Sequence, residues 1–195
     1  MQFPLTLEFK KVALSPQISV LDANGNLLFY VKQKLFKLKE AITIFADREQ
    51  TQPLYHIDAD RVIDFSARYR FKNRDGIEMG SIKRNGRRSI WKARYDIFDT
   101  NEQPLMRIEE QDAWVKVMDA IFTEIPFIGV LGGYFFNPVY RVERPDDSLA
   151  LKVVKNKAFF ESSFTITMES PLSEQEQLQT VLGVLMMTLL ERARG

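Results

Sequence analysis

Cysteine is absent from this chain, and with it disulfides, thiolate metal ligands, thiol nucleophiles and palmitoylation. Histidine occurs once, at His56, so no pair of imidazoles can build a zinc site. Charge of one sign is not in excess: 27 Lys and Arg stand against 26 Asp and Glu, which gives net charge no role in attracting nucleic acid. The opening MQFPLTLEFKK has no basic leader followed by an apolar core, and so lacks the pattern of a secretory signal. Long apolar runs are missing too. The best candidate, Leu178 to Leu190, covers roughly 20 Å at about 1.5 Å per residue, short of the roughly 30 Å hydrocarbon core of a bilayer. These absences set the expectation of a cytoplasmic globular protein with no transmembrane span, no metal and no cofactor.

The C-terminal stretch carries the strongest positive signal. Ser173 and Glu176 form an S-x-x-E capping box just after Pro171, and no proline follows, which predicts a helix over 174–192. Leu178, Val181, Leu182, Val184, Leu185, Met186, Met187, Leu189 and Leu190 point to every side of that helix, where a surface helix would show one stripe. It must therefore be enclosed. Gly183, inside it, costs about 1 kcal/mol against alanine, which suggests an inward aromatic in need of the space.

The remainder reads as a hairpin array. VLDANGNLLFYV (20–31), IFADREQTQPLYHI (44–57), YRFKNRDGIEMGSI (69–82), YDIFDTNEQPLMRI (95–108) and YRVERPDDSLALKV (140–153) each join two strands through a turn rich in Asp, Asn, Gly or Pro. Leu5 to Leu14 supplies an eleventh strand and Ala158 to Met168 a twelfth. Twelve strands about 4.8 Å apart and tilted near 40° close with a radius of roughly 12 Å, room for one helix. The expected fold is thus mainly β: a closed antiparallel barrel of about twelve strands in a single domain over 1–195, wrapped around the C-terminal helix. One short amphipathic connecting helix is expected over 112–123, and with the loop 124–133 it forms either a plug or a mobile lid.

Basic residues are concentrated. Between Val31 and Arg94 there are 16 basic and 8 acidic residues, whereas Tyr95 to Glu124 holds 2 basic and 8 acidic. Arg68, Arg70, Lys72 and Arg74 lie at alternate positions of one strand and so share a side. Lys32 and Lys34 do the same, with Lys37 and Lys39 beyond a parity slip at Leu35-Phe36. Lys83, Arg84, Arg87 and Arg88 surround an Asn85-Gly86 turn, and Lys92 and Arg94 follow. Aligned on adjacent strands, the ten residues Arg68, Arg70, Lys72, Arg74, Lys83, Arg84, Arg87, Arg88, Lys92 and Arg94 would form a lipid- or phosphate-binding surface. As a bland alternative they are the solvated outer face of a barrel. Catalytic readings have less behind them. Glu109 and Glu110 are adjacent on a strand and face opposite ways, Ser89 and Ser162-Ser163 lack a nucleophile elbow, and GVLGG (129–133) lacks the Lys and Ser/Thr of a phosphate loop.

The hairpin from Ile18 (ISVLDANGNLLFYVKQKLFKLKEAITIFAD), the stretch SIKRNGRRSIWKARYDIFD (81–99) and the apolar terminal helix together resemble the tubby C-terminal-like superfamily, in particular the phospholipid scramblases and the LURP-one-related proteins. That resemblance implies a twelve-stranded barrel around a central helix, in agreement with the strand count. For function it implies lipid: tubby proteins bind phosphoinositides through basic residues, and scramblases act at membranes. Without cysteine the chain cannot carry the palmitoylation cluster of scramblases. Asp58, Asp60 and Asp64 are not spaced as an EF-hand-like calcium loop either. The expectation is a non-enzymatic binding or adaptor protein, cytoplasmic or peripheral at an anionic membrane, with anionic phospholipid, phosphoinositide or a protein as partner and nucleic acid disfavoured. A carrier of a small apolar ligand and a protein-interaction module stay open, as does oligomeric state.

Overall fold

The computed structural model describes residues 1–10, 17–32, 42–60, 67–85, 94–111, 138–156 and 162–193. In chain order they form β1 (Leu5–Lys10), β2 (Gln17–Leu21), β3 (Leu27–Lys32), β4 (Ile42–Phe45), β5 (Pro53–Ala59), β6 (Arg68–Asn73), β7 (Glu78–Arg84), β8 (Arg94–Phe98), β9 (Pro104–Glu110), β10 (Val139–Glu143), β11 (Leu149–Asn156), β12 (Ser162–Met168) and α1 (Glu174–Ala193). Each strand pairs antiparallel with its neighbours in sequence, and β1 closes the ring on β12. All five predicted hairpins form. The connecting helix expected over 112–123 and the loop 124–133 lie outside the described residues.

The hairpin turns have a shared local cause. In the β2–β3, β6–β7 and β8–β9 turns the side-chain oxygen of Asp22, Asn73 or Asp99 accepts the backbone N–H groups two and four residues on, at 2.8 to 3.0 Å. Such side-chain capping is why Asx residues open tight turns. The third residue after each is left-handed: Gly25 at φ 81°, Gly76 at 80° and Glu102 at 60°. Because the strands alternate in direction, these turns and those at Asp47 and Asp146 all sit at one end of the barrel. The chain leaves β12 at that same end and enters the lumen as α1.

Ser173 and Glu176 cap α1 reciprocally: Ser173 N–H donates to Glu176 Oε2 at 2.8 Å, and Glu176 N–H to Ser173 Oγ at 3.3 Å. Those bonds hold the Glu176 carboxyl below its usual range. Arg144, in the β10–β11 turn, fastens the incoming chain through Ser170 Oγ at 2.7 Å and the Pro171 carbonyl at 2.6 Å. Inside, Val181, Leu182, Val184, Leu185, Met186 and Leu189 are fully buried. They are met by the inward residues of the pleat, among them Leu5, Leu7, Ile18, Ile44, Phe71, Ile97, Ile108 and Ile166. Each such side chain contributes about 1.5–3 kcal/mol on leaving water.

The helix is not centred; its backbone runs closest to β7, then β8 and β9. Two glycines allow that approach. A Cβ on Gly183 would stand 2.4 Å from Ile97 Cδ1 and 2.9 Å from its Cγ1, so an isoleucine, not the expected aromatic, takes the space. Gly80 sits at φ 129° beside an extra residue, Met79, where the β6–β7 register shifts. A Cβ there would lie 2.6 Å from the Phe98 carbonyl oxygen. The bulge frees the Met79 carbonyl to accept from Gln179 Nε2, which satisfies the one amide that the helix buries deep in the lumen.

Two outcomes check this packing. Truncation before Ser173 removes the core and is expected to abolish the cooperative urea transition. Gly183→Ala is expected to cost about 1–2 kcal/mol despite alanine's helix preference. With Ile97→Val, which removes the clashing Cδ1, the pair should cost less than the sum of the single changes; strict additivity in urea midpoints would refute the contact.

Candidate functional site

The hairpin β6–β7 and the following strand β8 bring the predicted cations together, and the pleat decides which face each takes. On β6, Tyr69 and Phe71 are buried in the lumen, so Arg68, Arg70 and Lys72 face out. On β7, Gly80 and Ile82 face in, so Lys83 faces out. Cross-strand register sets Arg68 directly opposite Lys83, and Lys83 in turn opposite Asp96 on β8. Arg94 lies outward on β8, and Arg74 projects from the turn with its side chain 75% exposed. Arg87, Arg88 and Lys92 lie outside the described residues, as do Lys34, Lys37 and Lys39.

The outer face also carries carboxylates. Arg70 bonds Glu78 at 2.7 Å, and that neighbour raises the guanidinium further above its ordinary value. Lys72 pairs with Asp58 at 2.8 Å. Arg94 meets both Asp96 and Glu109 at 3.3 Å. Arg68 reaches Glu102 at 3.3 Å and lies 4.5 Å above the Phe98 ring. Cations and carboxylates thus alternate over β5–β9. The one directly opposed like-charged couple among these cations is Arg68 with Lys83, an arrangement that costs stability.

Arg84 stands apart from the other candidates. It shares parity with Gly80 and Ile82 and enters the lumen, 9% exposed. At that end, remote from the turns, its Nε is 3.8 Å from Glu191 Oε1 in the last turn of α1, and its guanidinium lies 6.0 Å from the Tyr95 ring centre. Tyr95, fully buried, donates its hydroxyl to the same Glu191 oxygen at 2.5 Å. Glu110 and Tyr140 are buried nearby, and the Tyr140 phenol is pushed upward by burial and then by the charges of Glu110 and Glu191. This interior polar group is not foreseen in the sequence reading. Its signal was there, since residues 80, 82 and 84 must share a face.

The other candidates are quickly placed. His56 is half-buried on the outer face of β5, its Nδ1 3.2 Å from Thr43 Oγ1. Glu109 lies outside and Glu110 inside the wall, too divided to act on one substrate. Asp60 caps Arg68 N–H at 3.0 Å, and Asp64 lies outside the described residues. Among the described residues no cluster of three metal-ligating side chains occurs, and no helix is long and apolar enough to cross a membrane.

The opposite roles of adjacent cations give a stability test. Arg84→Ala removes the cation beside the Glu191 carboxylate, leaving it the Tyr95 hydroxyl, and is expected to cost about 2–3 kcal/mol, whereas Lys83→Ala should stay within about 0.5 kcal/mol of the parent, both read from urea midpoints.

Comparison with known proteins places this geometry. The family model described as LURP-one-related matches residues 27–184, from β3 to the middle of α1. No curated protein and no solved structure matches the chain.

Proposed function

The chain belongs to the LURP-one-related family, within the tubby-like C-terminal superfamily, and from that premise we propose that it is a non-catalytic cytoplasmic protein that binds anionic phospholipid peripherally through the outer face of β6–β8. Membership favours a tubby-like lipid-binding domain. The observation that carries the reading further is the cross-strand couple Arg68–Lys83. Two like charges held opposite one another by backbone register are relieved by an anion between them, and a phosphate supplies one. Arg70, Lys72, Arg94 and the exposed Arg74 surround the couple, with Arg87, Arg88 and Lys92 adjacent in sequence.

The carboxylates on this face do not prevent it. Exposed ion pairs are worth about 0–1 kcal/mol, so Glu102, 60% exposed beside Arg68, is readily exchanged for a phosphate. Each cation near an acidic bilayer contributes about 1 kcal/mol.

Vesicle co-sedimentation tests the reading. Association with phosphatidylserine-containing vesicles at low salt is expected, with little on pure phosphatidylcholine. Arg68→Ala with Lys83→Ala should weaken it about 25-fold, about fivefold for each charge. Glu102→Gln should strengthen it. Indifference to acidic vesicles at low salt defeats the proposal.

A further inference from the structure

Strand register sets the charges of the outer wall against one another, and almost always in opposite signs. Among the described residues, nine charged pairs stand directly opposite across a ladder. Seven join a cation to a carboxylate, as in the run Lys83–Asp96–Arg107–Glu143 across β7–β10. The other two set cation against cation: Arg68 with Lys83, and Arg141 of β10 with Lys152 of β11. Like charges so placed cost stability, and a carboxylate at Lys152 would have continued the alternation.

This second couple is open to a partner. Lys152 is exposed and makes no ion pair among the described residues. Arg141 bonds Glu143 at 2.7 Å through its Nε, which leaves both terminal nitrogens available on a side chain 42% exposed. Glu109, opposite Arg141 on its other side, meets Arg94 at 3.3 Å and Arg107 at 4.0 Å.

The surroundings suit a protein better than a bilayer. Acidic lipid is held by many cations, each adding a little, as on β6–β8. Here two cations stand at the margin of an uncharged face. Past Lys152 the outward residues of β11 and β12 are Val154, Asn156, Ser163, Thr165 and Thr167, and Val154 lies opposite Val139. Asn156 Nδ2 donates to Ser163 Oγ and to Thr165 Oγ1, both at 3.0 Å, so these polar groups already have partners and lose little when covered. A charge-poor centre with charge at its margin is how protein interfaces are composed.

We propose that the outer face of β10–β12 docks an acidic segment of a partner protein, whose carboxylates complete the alternation at Arg141 and Lys152 while its apolar residues lie on Val139 and Val154. The two cation couples are four strands apart in a ring of twelve. A flat bilayer on β6–β8 therefore leaves β10–β12 uncovered, and the docking face needs no lipid to form.

The probe is a rhodamine-labelled peptide of alternating glutamate and valine, followed by fluorescence anisotropy at low salt, with a lysine–valine peptide as control. The parent is expected to bind the glutamate peptide, less as salt rises, and to bind the lysine peptide far more weakly. Arg141→Ala with Lys152→Ala should weaken binding about tenfold, whereas Arg68→Ala with Lys83→Ala should leave it within about twofold, which keeps the result independent of vesicle binding. Lys152→Glu should abolish peptide binding and raise the urea midpoint, because it turns a like-charged couple into an opposite one. An unchanged or lower midpoint refutes that premise and the proposal with it. The proposal is also overturned if the parent ignores the glutamate peptide or binds both peptides alike, if Lys152→Glu leaves binding intact, or if the Arg68 and Lys83 double variant abolishes it. Loss of phosphatidylserine-vesicle binding but not of peptide binding in the Arg141 and Lys152 double variant would make the couple a lipid contact and overturn it as well.

Discussion

An apolar helix with no polar side can leave water only if it is enclosed on all sides, and in this chain that requirement governs everything else. An open sheet would cover half of α1 and leave unpaired edges as well. A closed wall covers all of it, and the wall must have the circumference of one helix with its side chains. Twelve strands meet that size. Where the off-centre helix runs closest, two glycines, Gly80 in the wall and Gly183 in the helix, leave room for the approach, with Ile97 filling the space at Gly183.

Enclosure also sorts charge. A closed wall has only two faces, and the pleat assigns adjacent residues to opposite ones, so Lys83 and Arg84, or Glu109 and Glu110, share a backbone and live in different media. Outside, an arginine or lysine near a carboxylate is screened by water and contributes little. Inside, Arg84, Tyr95 and Glu191 stand in a far less polar setting, where a carboxylate needs its donors. Together with the Gln179 amide on the Met79 carbonyl, they give an otherwise featureless apolar helix two fixed points along its axis. Apolar contacts alone would tolerate a slip of the helix by one turn; these two polar contacts would not.

Much of this was legible in the sequence because it rests on local chemistry. The Asx residues that open the hairpins bond to their own backbone, the Ser173–Glu176 box lies within one turn, and apolarity on all sides of 178–190 needs no partner to be recognised. What depended on register was harder. That Glu102 would meet Arg68, or that Glu109 would meet Arg94, follows from pairing between strands and cannot be read from either strand alone. Arg84 is different: the alternation through Gly80 and Ile82 fixed its face, but the Asn85-Gly86 signal beside it drew it to a turn. At Gly183 the sequence indicated that something large was close and could not say what, since the answer, Ile97, is 86 positions away.

The position of the helix in the chain bears on how the protein is made. Ribosomal synthesis releases the N-terminal part first, at about 5–20 residues per second. The twelve strands of this barrel therefore emerge with their apolar inner faces turned toward nothing, and β1 waits for β12 before the ring can close. Only when α1 has followed β12 out of the exit tunnel does the segment that all of those faces require become present. Until then the emerged strands stand as exposed, hairpin-forming sheet, a substrate for chaperones, and the native core forms in one step once α1 is present.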